Sequence, residues 1–283
     1  MTVDYLTENS GLRYQNDMLM TPHIDADSSD FPGDPTPQPP FGFADSLRSA
    51  ALWSIGIPHL ASWMIAVRAI SKFGDLKRAD GVLKVMARAV PALCGVKVEV
   101  LGGKSIDLDK AYVYVVNHVN IFDMFAIYQA VPQYTRSLEH VDHFKWPLIG
   151  SLITAAGQIP VDPNNPKLTA AGVKKAVEML RNGESLTVLP EGSRTLDGTV
   201  GPFYPGAFRM AIRAQVPVVP MAIRGGRAVS RRGDWRIRPG AEQVLIAKPI
   251  PTEGLTLRDM DTLAVQSRKV VIDLLQQRIS PDM

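Results

Sequence analysis

The sequence predicts an α/β domain on a largely parallel sheet, preceded by an apolar helical segment and a polar tail. Three observations lead there. From residue 96 onward, short β-branched runs alternate with helix-length segments. The 19 residues between Arg48 and Arg68 carry no Lys, Arg, Asp or Glu. Residues 1–40 contain six prolines, five of them from Pro32 to Pro40, and show no apolar periodicity.

Residues 1–40 hold seven acids and one base, so the remainder, 41–283, carries +9 of a chain whose total is +3. Too little apolar surface is present there to offset the entropy of ordering, and 1–40 reads as a disordered, acidic, Pro-rich tail. An acidic, apolar-poor start is not a signal peptide. The basic body suits anionic membranes, phosphorylated small molecules, acidic carrier proteins or nucleic acid, and chooses none of them. Cys94 is the one cysteine in 283 residues, which excludes a disulfide framework and points to a cytosol-facing protein.

Residues 41–75 form the apolar segment. A helix of its uncharged length is about 28 Å long, close to the roughly 30 Å of a bilayer core. Gly56, Pro58 and His59 at its centre predict a kinked or hairpin pair of helices lying in one leaflet, with Trp53 and Trp63 near the headgroups. A buried globular helix and a true span are the alternatives. Residues 76–93 follow as an amphipathic helix, with Leu83, Met86 and Val90 on one stripe and Lys84 and Arg88 off it.

Strands are expected at 96–101 and 112–116, joined by a turn at Gly102-Gly103, then helices near 121–130 and 146–155. A short strand at 158–161 precedes a helix from Pro166 to Asn182. Further strands fall at 186–189, 216–223 and 241–248, with helices at 206–214 and 256–278. Residues 76–283 therefore read as one domain.

Two constellations carry chemistry. Asn117-His118 directly follows the apolar strand 112–116, and Asp123 comes five residues after the histidine. On one regular helix those side chains point about 140° apart. With His118 in the strand-to-helix turn and Asp123 in the first helical turn, the carboxylate folds back onto one ring nitrogen and leaves the other free as a base. The alternative is a capping Asp beside an unrelated histidine. Glu191-Gly192-Ser193-Arg194 also follows a strand, and ligands of open α/β sheets bind beyond the carboxyl ends of strands, so the two segments can share a cleft. Gly192 permits close backbone approach, and Arg194 offers a planar fork for phosphate or carboxylate; a surface turn is the plainer reading.

Other classes fit poorly. Gly103-Lys104-Ser105 lacks the first glycine of a P-loop, no G-x-S-x-G is present, and His140, Asp142 and His143 have no second His/Cys pair for a metal. Six arginines lie between Arg224 and Arg238, a patch for CoA phosphates, an acidic carrier or anionic lipid, or else a solvated loop. Trp235 alone among them is no stacking platform, so nucleic acid is not an expected partner.

In order along the chain, Asn117-His118-Val-Asn-Ile-Phe-Asp123, Gly157-Gln-Ile-Pro-Val-Asp162, Glu191-Gly-Ser-Arg194 and Val216-Pro-Val-Val-Pro220 resemble the four blocks of the PlsC-type glycerophospholipid acyltransferases, the 1-acylglycerol-3-phosphate acyltransferase family, over about residues 76–250. The resemblance implies a mixed, largely parallel sheet flanked by helices, with an N-terminal pair of membrane-associating helices. It implies His118 as general base on an acceptor hydroxyl and Asp123 as its orienting partner. Asn117, Glu191, Gly192, Ser193, Arg194 and Asp162 become acceptor-site residues. The donor is acyl-CoA or acyl-carrier protein as co-substrate, with no cofactor and no metal, and the protein works at the cytoplasmic face of a membrane.

One departure stands out. The second block commonly ends in Asp-Arg, whereas this chain has Asp162-Pro163. Lys167 or an arginine elsewhere then takes the acceptor phosphate, or the acceptor is a non-phosphate lysolipid or hydroxylated lipid. A non-catalytic lipid-binding protein of the same fold is the remaining alternative.

Overall fold

The computed structural model describes residues 33–281, except 74, 75, 148, 163 and 279. The disorder expected for residues 1–32, and the structure at Pro163, lie outside the described residues.

Helix α1 (Phe43–Phe73) is followed by α2 (Leu76–Leu93). The hairpin, one of the two forms expected around Pro58, is absent, because α1 runs through it as one helix of 31 residues. A proline inside a helix costs about 3 kcal/mol. Apolar contacts on both sides of Pro58 offset that. Leu52 and Trp53 pack on a cluster with Cys94, Phe122 and Ile237, while Leu60, Trp63 and Val67 pack on one with Leu83, Met86 and Val90. His59 is accommodated because the Trp63 indole N–H, one turn on, donates to its Nε2 at 3.0 Å. The helical pair at the N-terminus is thus α1 with α2, not a hairpin within residues 41–73. Phe43, Leu47, Ile55, Ile57 and Ile65 remain exposed along α1.

The body is a seven-stranded sheet in the order β1-β7-β6-β2-β5-β3-β4. Its strands are β1 (Val96–Gly102), β2 (Val113–Val116), β3 (Thr135–His140), β4 (Ile159–Val161), β5 (Ser185–Val188), β6 (Val218–Arg224) and β7 (Gly240–Ile246). All neighbours are parallel except β6 and β7. Helices α3 (Asp123–Ala130), α4 (Ile149–Ala155), α5 (Pro166–Arg181), α6 (Gly206–Ala214), α7 (Gly226–Val229) and α8 (Met260–Leu275) flank it. Val113, Val115, Leu186 and Val218 bury one face against α5, α6 and α8, and Tyr114, Val116, Val219 and Met221 bury the other against α3. Central strands covered on both faces read as continuous apolar runs, which is why β2 and β6 are evident in the sequence.

Strand β3 is the unexpected element. Its sequence, TRSLEH, has no apolar alternation because its inward positions are polar: Thr135 Oγ1 pairs with Thr187 Oγ1 at 2.9 Å, and the Ser137 N–H donates to Gln158 Oε1. His140 ends this strand, and Asp142 and His143 lie in the 3₁₀ turn 141–145. The expected tail boundary at residue 40 also moves, since residues 33–41 run extended along the domain, hydrogen-bonded to the arginine-rich segment after β6.

Candidate active site

All four residues of β2 are buried, and the chain leaves the sheet at Asn117. The Asn117 side chain is itself buried and brackets the backbone of Ile223 on β6, accepting its N–H at 2.7 Å and donating to its carbonyl at 3.1 Å. His118 therefore emerges at a fixed point beyond the carboxyl end of the central strand. Asp123, 1 % exposed, is the first residue of α3. Its Oδ2 lies 2.6 Å from His118 Nδ1 and also accepts the N–H groups of Val119 at 2.6 Å and Asn120 at 3.1 Å. A carboxylate at a helix N-terminus is favoured by the helix dipole as well. With Nδ1 directed at Asp123, Nε2 is the free nitrogen, on a side chain 24 % exposed.

Glu191 closes the turn from the other side. Its Oε1 accepts the His118 N–H at 2.8 Å and its Oε2 the Gly201 N–H at 2.8 Å. Burial pushes the Glu191 carboxyl up to about 7 against the lowering effect of those two donors. Arg268 of α8 reaches beneath the same loop and donates to the Gly201 carbonyl at 2.8 Å. Gly192 follows at φ +69°, and a Cβ there would meet the Tyr204 ring at 3.1 Å, so the turn requires glycine.

Beside the turn opens a cleft of about 290 Å³ lined by Glu191, Ser193, Arg194, Thr195, Tyr204 and Arg232, among others. The Thr195 N–H donates to the His118 carbonyl at 2.8 Å, which joins the cleft wall to the base. Arg232 Nη1 donates to the Arg194 carbonyl at 2.8 Å and to Ser193 Oγ at 3.3 Å, and both arginines line the cleft.

Residues 97–224, which include the His118 turn and the Glu191–Arg194 loop, match the family model described as Acyltransferase. Over those residues the chain is similar to the PlsC-type acyltransferases. It is 28% identical over 221 residues to a 1-acyl-sn-glycerol-3-phosphate acyltransferase of Limnanthes alba, covering 77% of this chain and 75% of that one. To the human 1-acyl-sn-glycerol-3-phosphate acyltransferase alpha it is 28% identical over 202 residues, 71% of each chain. Its fold matches the crystal structure of PlsC, the 1-acyl-sn-glycerophosphate acyltransferase of Thermotoga maritima, with a TM-score of 0.71 at 21% identity, covering 83% of this chain and 96% of that one.

The acyltransferase site differs in detail from the sequence expectation. Glu191, Ser193 and Arg194 line the cleft, and the hydrogen-bonding atoms of Asn117 and Glu191 are also engaged with backbone, where they shape the turn. Neither Asp162 nor Lys167 lines the cleft. Asp162 instead anchors the start of α5, its Oδ1 accepting the Asn164 N–H at 2.9 Å and its carbonyl the Thr169 hydroxyl at 2.6 Å, and Lys167 is exposed in the first turn of that helix.

All six arginines from Arg224 to Arg238 donate to protein acceptors, and Arg232 also lines the cleft. Asn120 and Glu242 were not evident from sequence. Asn120 Nδ2 donates to Glu242 Oε1 at 2.7 Å and to the Gly226 carbonyl at 2.8 Å, while its Oδ1 accepts the Phe122 N–H at 2.7 Å. Glu242 is fully buried on β7, and burial pushes its carboxyl up to about 7. A glutamate beside Gln243 in a predicted strand reads as an edge residue; only the tertiary contact with Asn120 reveals it.

Proposed function

We propose that this acyltransferase moves a fatty acyl group from acyl-CoA or acyl-carrier protein to the free hydroxyl of 1-acylglycerol-3-phosphate, giving phosphatidic acid. The observation that carries the reading is the His118–Asp123 pair, 2.6 Å apart, whose His118 carbonyl accepts the N–H of Thr195 in the wall of a cleft lined by Arg194 and Arg232. Nε2 takes the proton of the acceptor hydroxyl as its oxygen attacks the thioester carbonyl. The new C–O bond forms, the C–S bond breaks, and the imidazolium returns the proton to the departing thiolate. Asp123 holds the ring in the tautomer this requires and stabilises its protonated form. No acyl-enzyme is needed, because the nucleophile belongs to the acceptor, and the chemistry calls for no cofactor.

Arg194 supplies a charged fork for the acceptor phosphate, and the Ser193 hydroxyl lies beside it. The exposed apolar residues of α1 rest in the cytoplasmic leaflet of a membrane, where a lysolipid is delivered without leaving its own phase.

The direct test incubates purified protein with acyl-CoA and a panel of lysolipids and follows thiol release and lipid product by mass. Phosphatidic acid formed from 1-acylglycerol-3-phosphate, in preference to phosphate-free acceptors, supports the reading. Preference for an uncharged acceptor contradicts the phosphate assignment and leaves the acyl-transfer chemistry standing.

A further inference from the structure

The proline-rich end of the tail and the arginine-rich segment, two features of sequence with no evident connection, meet in the structure. Gly33–Phe41 lies extended across that segment. Arg231 Nη2 donates to the carbonyls of Gln38 at 3.2 Å and Pro39 at 2.8 Å, and Arg238 donates to those of Pro39 at 3.2 Å and Pro40 at 3.0 Å. The Phe41 ring has the guanidinium carbons of Arg231, Arg236 and Arg238 at 4.9, 5.0 and 4.8 Å from its centre. Proline suits this role, because it presents a carbonyl without an N–H and its fixed φ lowers the entropy lost on docking.

The same segment touches the cleft wall. The Asp34 N–H donates to the Gly198 carbonyl at 3.2 Å, and Asp34 Oδ2 accepts the Gly225 N–H at 2.6 Å. Gly33 sits so close to the wall that a Cβ there would lie 2.2 Å from Gly198 O. Between the two ends, Arg227 Nε donates to Gln38 Oε1 at 2.7 Å while its Nη1 donates to the Leu196 carbonyl. The wall that runs from Arg194 through Thr195 and Leu196 to Gly198 is therefore held at Leu196 and Gly198 by contacts that depend on residues 33–41.

We infer that Gly33–Phe41 is a strap that positions the acceptor wall of the cleft, an inference that rests on the reading of this cleft as the acceptor site. It acts on where Arg194 stands; the Thr195 N–H of the same wall reaches the His118 carbonyl, but the His118–Asp123 pair is fixed by its contacts with Asn117, Glu191 and Asn120. Strap contacts thus govern acceptor affinity and leave the chemical step alone.

The test uses the full chain with Gln38→Ala and Phe41→Ala combined. The acceptor KM rises about tenfold, while kcat and the donor KM stay within about twofold. Amide hydrogen exchange at residues 195–199 quickens while α5 is unchanged. If the double variant does not fold, Asp34→Asn serves in its place. An unmoved acceptor KM overturns the inference, whether or not exchange quickens. If the parent protein acylates no lysolipid, the acceptor reading itself fails, and exchange at 195–199 alone decides whether the strap holds the wall.

Discussion

Glu191 Oε1 accepts the backbone N–H of His118 at 2.8 Å, and its second oxygen accepts the N–H of Gly201. A side chain that the sequence placed in acceptor binding is thus the bracket that fixes where the base stands. Glu191→Ala leaves two backbone donors without their partner, and each buried orphan costs about 1–3 kcal/mol. The account predicts a fall in kcat of about 10- to 100-fold with the acceptor KM little changed, and a milder loss in Glu191→Gln, which keeps one acceptor oxygen. Steady-state kinetics of both variants check it; a pure KM effect would return Glu191 to acceptor binding.

Glu242 makes a prediction about pH. Burial raises its folded-state carboxyl from 4.5 to about 7. Between those values the folded protein holds a proton that the unfolded chain releases, so the parent loses stability as pH rises through that window and stays penalised above it. Glu242→Gln keeps an oxygen for Asn120 Nδ2 and carries no charge. Its stability relative to the parent therefore climbs from pH 4.5 to 7, by on the order of 3 kcal/mol, and then levels off. Urea unfolding midpoints at pH 5, 6, 7 and 8 measure this; a constant difference across the series would contradict the buried-carboxyl argument.

The dyad was legible because its geometry is local: a strand end, a turn and a first helical residue bring His118 and Asp123 together within six residues. The buried strands were legible from their apolar runs. Strand β3 was not, because Thr135 and Ser137 stabilise it through polar pairing with Thr187 and Gln158. Glu242 beneath Asn120, the Glu191 bracket and the strap on the arginines join residues 122, 73 and about 190 positions apart, and no period or spacing in one chain encodes such meetings.

Arg194 and Arg232 border the cleft together, and their charges bear on an anionic acceptor. Arg194→Gln is expected to raise the KM for 1-acylglycerol-3-phosphate by about 10- to 100-fold, since a charged hydrogen bond contributes about 1.5–3 kcal/mol. Arg232→Gln keeps a donor for the Arg194 carbonyl and raises it less. Neither variant changes the KM for a monoacylglycerol tested alongside, and equal losses for both acceptors would remove the phosphate from the assignment.

Ile55, Ile57 and Ile65 project from α1 with 59%, 58% and 62% of their surface exposed. Replacing all three by lysine weakens binding to vesicles containing anionic lipid, because charge is costly in hydrocarbon whatever the headgroup attraction. Vesicle flotation reads the loss, and activity on detergent-dispersed lysolipid is retained. Undiminished flotation would place the membrane contact elsewhere.

The most direct test of the central claim is thiol release from acyl-CoA by His118→Ala in the presence of lysolipid. Without the imidazole no group takes the acceptor proton, and turnover falls by at least about 10³-fold while the circular dichroism spectrum and vesicle flotation match the parent. Acyl transfer at the parental rate by that variant would mean that another group activates the hydroxyl, and the His118–Asp123 mechanism would be wrong.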